Sequence, residues 1–81
     1  MNVRVQFYAQ LRDLSGVHEL ELELPQGATV RELLEKIYAQ RPALRAHDNS
    51  ILVGAGLEFV DRNYKLNPGE EIAIMPPVQG G

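Results

Sequence analysis

A strand, a turn and the start of a helix follow one another in His18-Glu19-Leu20-Glu21-Leu22-Glu23-Leu24-Pro25-Gln26-Gly27-Ala28-Thr29-Val30-Arg31-Glu32-Leu33-Leu34. Glutamate and leucine alternate through residues 19–24, and this period of two indicates a strand with one buried and one solvent-exposed face. The proline and glycine that follow predict a turn. Beyond the turn the apolar residues change to helical spacing. The stretch therefore predicts a domain in which a helix packs against a sheet.

Thr29 is predicted to cap the helix that follows the turn. Glu32, three residues later, completes a Thr-x-x-Glu capping box. The apolar residues recur at helical spacing and form one stripe: Val30, Leu33, Leu34, Ile37 and Tyr38. Pro42 ends the helix at about residue 40 or 41. We interpret the stripe as core, because a small sheet needs a helix to cover one of its faces.

Four further segments are predicted to be strands: residues 3–8, 51–53, 57–60 and 71–75. A short helical or turn segment is expected at residues 9–14. Asn67-Pro68-Gly69-Glu70 predicts a type II turn. Residues 43–49, with the neighbours His47 and Asp48, are predicted to be an irregular surface loop, and Gly54-Ala55-Gly56 a turn or bulge.

This order of elements predicts an α+β fold of the β-grasp, or ubiquitin-like, type. We expect a mixed sheet of about five strands packed on one main helix. Its first and last strands would be central and parallel, and the long middle segment would supply their crossover. Residues 1–75 are expected to form this domain, and residues 76–81 an extended Gly-Gly tail.

Composition excludes several classes of site. The chain has 81 residues, a formal net charge of −3, no cysteine and two histidines. Disulfides, thiolate metal sites and cysteine nucleophiles are therefore excluded, and no bound metal is expected. There is no dense Lys/Arg cluster, no apolar run of about 20 residues and no signal-peptide core. We expect a cytoplasmic protein with neither nucleic acid nor membrane as a partner.

Two surface features leave alternatives open. Glu19, Glu21 and Glu23 occupy one face of a strand; such a row is more often a solvated face than a docking face. In the last strand, Ile72 and Ile74 would point to the helix, which leaves Met75 exposed on the opposite face beside the tail. Phe59 is expected to share that face. The pair forms either an adaptable protein interface or a semi-buried far side of the sheet.

The last six residues are Pro76-Pro77-Val78-Gln79-Gly80-Gly81. Two prolines favour an extended backbone, and six extended residues reach roughly 20 Å. Taken alone, such a segment is more often a frayed end than a working part. If the segment is functional, the group that it delivers to a partner is the main-chain carboxylate of Gly81. Glycines have no Cβ, so they leave entry to a narrow site unobstructed.

Two stretches resemble the molybdopterin synthase small subunit, a family of ubiquitin-like sulfur carriers. They are Phe7-Tyr8-Ala9-Gln10-Leu11-Arg12-Asp13-Leu14-Ser15-Gly16 and Leu66-Asn67-Pro68-Gly69-Glu70-Glu71-Ile72-Ala73-Ile74-Met75-Pro76-Pro77-Val78-Gln79-Gly80-Gly81. The resemblance implies a β-grasp fold. One departure is Gly56, where the family often has asparagine near the start of the fourth strand.

The resemblance also implies a function. An ATP-dependent adenylyltransferase would activate the carboxylate of Gly81, with Gly80 giving steric access, and sulfur would convert it to a thiocarboxylate, a C-terminal 1-thioglycine. The tail would donate that sulfur in the active site of the synthase large subunit to make the molybdopterin dithiolene. No bound cofactor is implied. The subunit would not be an enzyme on its own, and it would assemble as two small and two large subunits.

Partner contacts are implied for Phe59, Met75 and the tail residues Pro76, Pro77, Val78 and Gln79. Other functions share the same Gly-Gly end, namely a sulfur carrier for thiamine synthesis or tRNA thiolation and a ubiquitin-like protein modifier. A further alternative is a binding module that does not react and whose glycine tail is incidental.

Overall fold

The computed structural model describes residues 1–77. Its elements, in chain order, are β1 (Asn2–Phe7), α1 (Gln10–Ser15), β2 (Glu19–Glu23), α2 (Val30–Gln40), a 3-10 helix η1 (Pro42–Ser50), β3 (Leu52–Ala55), β4 (Glu58–Val60) and β5 (Glu71–Met75). Val78, Gln79, Gly80 and Gly81 lie outside the described residues, so the predicted division into a domain and a tail stays a prediction.

The five strands form one mixed sheet in the order β2-β1-β5-β3-β4. β1 and β5 run parallel, whereas the other three pairings are antiparallel. Two strands from opposite ends of the chain therefore lie side by side within the sheet. The crossover between them contains α2. This is the arrangement that the order of predicted elements implied.

The core lies between α2 and one face of the sheet. The whole predicted helical stripe is buried. From β1 the core receives Val3, Val5 and Phe7, and from β5 it receives Ile72 and Ile74. Residues with the alternate parity on these strands point to the opposite face. A period of two in the strands and a period near four in the helix thus place these buried apolar residues in one layer.

The capping box that was predicted at Thr29 is present. Its hydroxyl accepts a hydrogen bond from the Glu32 main-chain N–H at 3.4 Å, and the Glu32 carboxylate accepts one from the Thr29 N–H at 3.1 Å. Two N–H groups that the first helical turn leaves without helical partners are satisfied in this way. The helix ends at Gln40, before Pro42, as predicted.

The prediction of an irregular loop at residues 43–49 was wrong, because this segment belongs to η1. Leu44 is fully buried and anchors η1 to the core. The hydroxyl of Tyr38 donates a 2.5 Å hydrogen bond to the Asp48 carboxylate, and Arg62 donates to the Asp48 carbonyl at 2.7 Å. One buried leucine and these polar contacts hold a segment whose composition is otherwise that of a loop.

The prediction of a turn or bulge at residues 54–56 was also wrong in its position. Gly54 belongs to β3 and pairs with Phe59 of β4 and Ala73 of β5. The hairpin turn is Gly56-Leu57, between the paired residues Ala55 and Glu58. Gly56 has a φ of 63° and Leu57 does not have a positive φ, a combination typical of a type II′ hairpin turn. Glycine therefore fits the position at which the resembling family often has asparagine.

The predicted type II turn at residues 67–70 is present. The Glu70 N–H donates to the Asn67 carbonyl at 3.1 Å, and Gly69 has a φ of 74°. Within residues 1–77, the helices are all too short or too polar to cross a membrane.

Candidate partner-binding surface

The sheet face opposite α2 is open, and its side chains divide into two parts. Over β3, β4 and the end of β5 the exposed or half-buried residues are mainly apolar. Over β2, β1 and the start of β5 they are mainly charged. We call these parts the apolar patch and the acidic half.

The apolar patch consists of Tyr8, Leu57, Phe59 and Met75 around a floor formed by Gly54 and Ala73. Phe59 is 65% exposed and Leu57 is 105% exposed relative to its reference state. Large apolar side chains left this open form a contiguous surface of the kind that marks protein contacts. The structure thus places Phe59 and Met75, the two residues predicted for this face, on one surface.

Small residues make the floor of the patch. Ala73, Gly54 and Phe59 stand in one register row across β5, β3 and β4. A Cβ on Gly54 would lie 3.1 Å from the Met75 methyl carbon and 3.7 Å from the Ala73 Cβ. Because Gly54 has no side chain, Met75 lies across the β3 backbone. Met75 is consequently half-buried, and the expectation that it would be exposed was wrong.

Tyr8 and Leu57 belong to the patch but were not identified from the sequence as members of it. Tyr8 follows the last residue of β1, and its N–H donates to the Ile74 carbonyl at 3.1 Å. Its hydroxyl donates to the Gln6 side-chain oxygen at 2.8 Å, and the Gln6 amide donates to Glu71 at 3.2 Å. The sequence does contain a signal that Leu57 is exposed. It directly follows a turn glycine, and a leucine in a turn cannot reach the core.

Backbone strain lies next to the patch, at Ala9. Its φ of 53° and ψ of −135° fall in a region that glycine occupies without penalty and alanine does not. The Leu11 N–H donates to the Tyr8 carbonyl at 3.1 Å, so residues 8–11 form a type II′ turn with alanine in the glycine position. Leu11 is buried on one side of this turn and Tyr8 is bonded to β5 on the other. These two anchors hold the strained conformation.

The acidic half contains four glutamates, Glu19, Glu21, Glu23 and Glu71, together with Arg4, Gln6 and Asn2. Arg4 stands between Glu21 and Glu71 in register, and Gln6 stands between Glu19 and Ala73. The Gln6–Ala73–Gly54–Phe59 row therefore runs directly from the acidic half into the apolar patch.

The described residues contain no arrangement suited to acid–base or metal chemistry. No group of three or more His, Asp or Glu that could hold a metal ion occurs among residues 1–77. Asp48 lies against Tyr38 and Arg62. Burial, and then the hydrogen bond to Asp48, raises the pKa of the Tyr38 hydroxyl well above its usual range, so Tyr38 stays protonated. We interpret this cluster as a structural link between α2, η1 and the segment after β4.

The predicted tail begins where the patch ends. Pro76 and Pro77 follow Met75 directly and are half-buried. Val78, Gln79, Gly80 and Gly81 lie outside the described residues. The structure therefore locates Phe59 and Met75 on one surface, and Pro76 and Pro77 follow Met75 at the end of β5. The contacts expected of these four residues stay predictions.

Comparison with known proteins identifies related chains over the full length. The model of the ThiS family matches residues 5–81. The molybdopterin synthase sulfur carrier subunit of Chlamydomonas reinhardtii is 36% identical over 83 aligned positions, which cover 100% of both chains.

Two solved structures are similar in fold. A Pyrococcus furiosus protein provisionally named molybdopterin converting factor, subunit 1, has a TM-score of 0.88 at 30% identity and covers 96% of this chain and 99% of that one. The small archaeal modifier protein SAMP1 from Haloferax volcanii has a TM-score of 0.88 at 25% identity and covers 100% of both chains. These similarities confirm the predicted β-grasp fold.

Proposed function

We propose, since this chain belongs to the ThiS family, that it is the sulfur carrier subunit of a molybdopterin synthase. The observation that carries the proposal is the 36% identity, over the whole of both chains, to a relative with that name. The open sheet face adds physical support, because Met75 of the apolar patch is the last residue of β5 and the tail follows it directly.

The chemistry is assigned to the tail. A terminal carboxylate has a pKa near 3.3 in model compounds, so at neutral pH the group on Gly81 would be anionic and a poor electrophile. We assign its activation to an ATP-dependent enzyme: a carboxylate oxygen attacks the α-phosphorus of ATP, and pyrophosphate leaves. Sulfide (HS⁻) then attacks the carbonyl carbon of Gly81, the bond to AMP breaks, and the product is a thiocarboxylate. A chain without cysteine can carry reactive sulfur in this form.

Recognition is assigned to the folded part, residues 1–75. The apolar patch would dock on the large subunit of the synthase while residues 76–81 reach its active site. This division explains why the described residues need no acid or base of their own. It also assigns bond making to the partner enzymes, so this chain acts as a donor and not as a catalyst. We place these steps in the cytoplasm.

Intact-mass measurement tests the carrier chemistry directly. The purified chain is incubated with the activating enzyme, a sulfur source and ATP. We expect exchange of one oxygen for one sulfur, confined to the C-terminal peptide that contains Gly81. The control omits ATP and should leave the mass unchanged. A chain that never gains sulfur at Gly81 would overturn the proposal.

Deletion of Gly81 separates chemistry from docking. We expect the variant to lose sulfur transfer while its thermal unfolding and its affinity for the large subunit stay close to those of the full chain. Loss of folding in this variant would contradict an assignment in which the tail takes no part in the core.

A second candidate function is that of a ubiquitin-like protein modifier. The observation in its favour is the similarity to SAMP1, which extends over the whole of both chains. Such a modifier would form isopeptide bonds between Gly81 and lysines of other proteins. Peptide mass spectrometry of tryptic digests of cell extracts would detect target lysines that carry residues 66–81, because Lys65 is the last basic residue before Gly81. Remnants that depend on this chain would favour the modifier, and their absence together with a stable large-subunit complex would favour the synthase subunit.

A further inference from the structure

We infer that Met75 is a site of reversible oxidation, at which a peroxide converts the thioether to a sulfoxide and so prevents the chain from binding the synthase large subunit. The inference rests on the proposed function and deepens it, because it adds a chemical control to the binding step. The reacting atom is the Met75 sulfur, and the reagent is a hydroperoxide such as hydrogen peroxide.

The first observation is how few sulfur atoms the protein offers to an oxidant. The chain has no cysteine and two methionines, Met1 and Met75. Thiols and thioethers are the side-chain groups that undergo stepwise oxidation by peroxides. Met1 is half-buried and packs against the core, whereas Met75 lies in the apolar patch. Of the two sulfur atoms that a peroxide can oxidise, one therefore lies on the open face.

The second observation is that an open groove leads to Met75. The groove has a volume of about 280 Å³, and Tyr8, Phe59 and Met75 contribute to its lining. A water molecule takes about 30 Å³ in the liquid, so a molecule with two oxygen atoms can enter. Gly54 has no Cβ, which would lie 3.1 Å from the Met75 methyl carbon, and the side chain therefore rests across the β3 backbone. The Met75 side chain is thus held in the groove and not in the core.

The third observation concerns the polar partners that a sulfoxide oxygen would meet in the groove. This oxygen accepts hydrogen bonds, so it needs a donor once water is removed. Of the side chains that line the groove, that of Tyr8 alone carries a donor, and its hydroxyl already donates to Gln6 at 2.8 Å. Glu58 adds a carboxylate, which when ionised only accepts. A partner that covers the groove would therefore bury the new oxygen without a hydrogen bond from these side chains.

The oxidation step needs no bound cofactor. The Met75 sulfur attacks one oxygen of hydrogen peroxide, the O–O bond breaks, and a sulfur–oxygen bond forms. One proton moves to the departing oxygen, which leaves as water. The sulfur loses two electrons, and the peroxide gains them. Methionine sulfoxide reductases, one for each sulfoxide epimer, reverse the step with electrons from a dithiol. In the free chain water can solvate the new oxygen, so oxidation should change binding more than folding.

Peroxide treatment followed by isothermal titration calorimetry tests the inference. The full chain, not yet loaded with sulfur, is treated with hydrogen peroxide and titrated into the synthase large subunit. Trypsin cuts after Lys65, so mass spectrometry detects an added oxygen on Met75 in residues 66–81 separately from one on Met1. We expect oxidation of Met75 to weaken binding about 10- to 100-fold and to leave the thermal unfolding midpoint nearly unchanged. Treatment with methionine sulfoxide reductases should restore the affinity.

The matched control is Met75→Leu, a substitution of similar volume that keeps Met1. Its affinity should be close to that of the wild-type chain and should not respond to peroxide. An equal peroxide-dependent loss in this variant would overturn the inference. So would a fully oxidised Met75 that binds as tightly as before, or a Met75 that stays reduced while Met1 is oxidised.

A second measurement does not depend on the variant. Large subunit that is bound before peroxide is added should slow the oxidation of Met75 and leave that of Met1 unchanged, because the groove is then covered. Equal oxidation rates of Met75 with and without the large subunit would contradict the inference. In all these cases the untreated chain still binds the large subunit. An untreated chain that does not bind it would instead overturn the proposed function.

Discussion

The two faces of the sheet come from the same strands but carry opposite kinds of residue. On the covered face Val3, Val5 and Phe7 are at most 1% exposed. On the open face, Phe59 is 65% exposed and glutamates follow one another along β2. Neighbours in sequence are divided in this way: Phe7 is buried and Tyr8 is not, and Ile74 is buried while Met75 is only half-buried.

This difference separates stability from recognition. Burial of apolar area contributes roughly 25 cal/mol per Å², so the covered face supplies most of the free energy of unfolding. The patch, which water still reaches, supplies little of it. A contiguous apolar patch that includes an exposed aromatic ring is typical of surfaces that contact another molecule. Substitutions on the two faces should therefore change different measured quantities.

The largest expected effect is on the covered face. Phe7→Ala should lower the free energy of unfolding by about 3–5 kcal/mol, because a large side chain leaves a cavity in the core. Phe59→Ala should change it by less than about 0.5 kcal/mol. Urea denaturation with a fluorescence or circular dichroism readout measures both. If Phe7→Ala does not fold, Ile74→Val, with an expected loss of about 0.5–1.5 kcal/mol, takes its place. Equal effects at residues 7 and 59 would contradict the division between the faces.

The next effect is on the open face and concerns affinity. Phe59→Ala should weaken binding to the synthase large subunit about 10- to 30-fold, the size of effect typical of an aromatic anchor. Met75→Glu should weaken it at least as much, because it places a charge in an apolar contact. Isothermal titration calorimetry measures the dissociation constants. The exposed substitution Asp13→Asn serves as a control. Unchanged affinity in both patch variants would remove the patch from this interface.

A smaller effect is expected at Tyr38, in the helix that packs on the covered face. Tyr38→Phe should lower the free energy of unfolding by about 1–2 kcal/mol, because Asp48 loses a hydrogen bond in a partly buried site. Stability should also respond to alkaline pH. The pKa of Tyr38 is raised on folding, so the unfolded chain loses this proton first, and stability falls as pH rises above about 10.

Chemical denaturation at pH values from 8 to 11 checks the Tyr38 prediction. The fall in stability should be steeper in the wild-type chain than in Tyr38→Phe. Some slope should persist in the variant, because the hydrogen bond to Glu70 also raises the pKa of Tyr64. If stability fell equally steeply with pH in the two proteins, folding would not be linked to the ionisation of the Tyr38 hydroxyl.

The smallest expected effect is an increase in stability. Ala9→Gly should raise the free energy of unfolding by about 0.5–1 kcal/mol, because glycine adopts the positive φ of this turn without strain. Ala39→Gly, on the exposed side of α2, should lower it by about 1 kcal/mol. Thermal unfolding of the pair distinguishes local strain from the general effect of glycine. Destabilisation at both positions would mean that the Ala9 conformation is not strained.

Predictions from local patterns were confirmed where apolar residues recur with a regular period and where capping and turn residues stand at their typical spacing. The strand at residues 19–23, the helix with its cap and the type II turn needed only neighbouring residues. The η1 segment could not be recognised, because its helical state depends on Leu44 entering a core and on Asp48 meeting Tyr38. Gly54 was misassigned because its role, clearance for Met75, is a contact between residues 21 positions apart.

The sequence by itself determined the order and type of the main elements, the one-sided charge of the second strand and the absence of thiol chemistry. It did so because alternation, capping and composition act between neighbours along the chain. Phe59 and Met75 were expected from the sequence to share a face. The tertiary structure alone decided that Tyr8 and Leu57 join them, and that the charged side chains lie beside them. Strand order and register set those contacts, and both depend on pairing between distant segments.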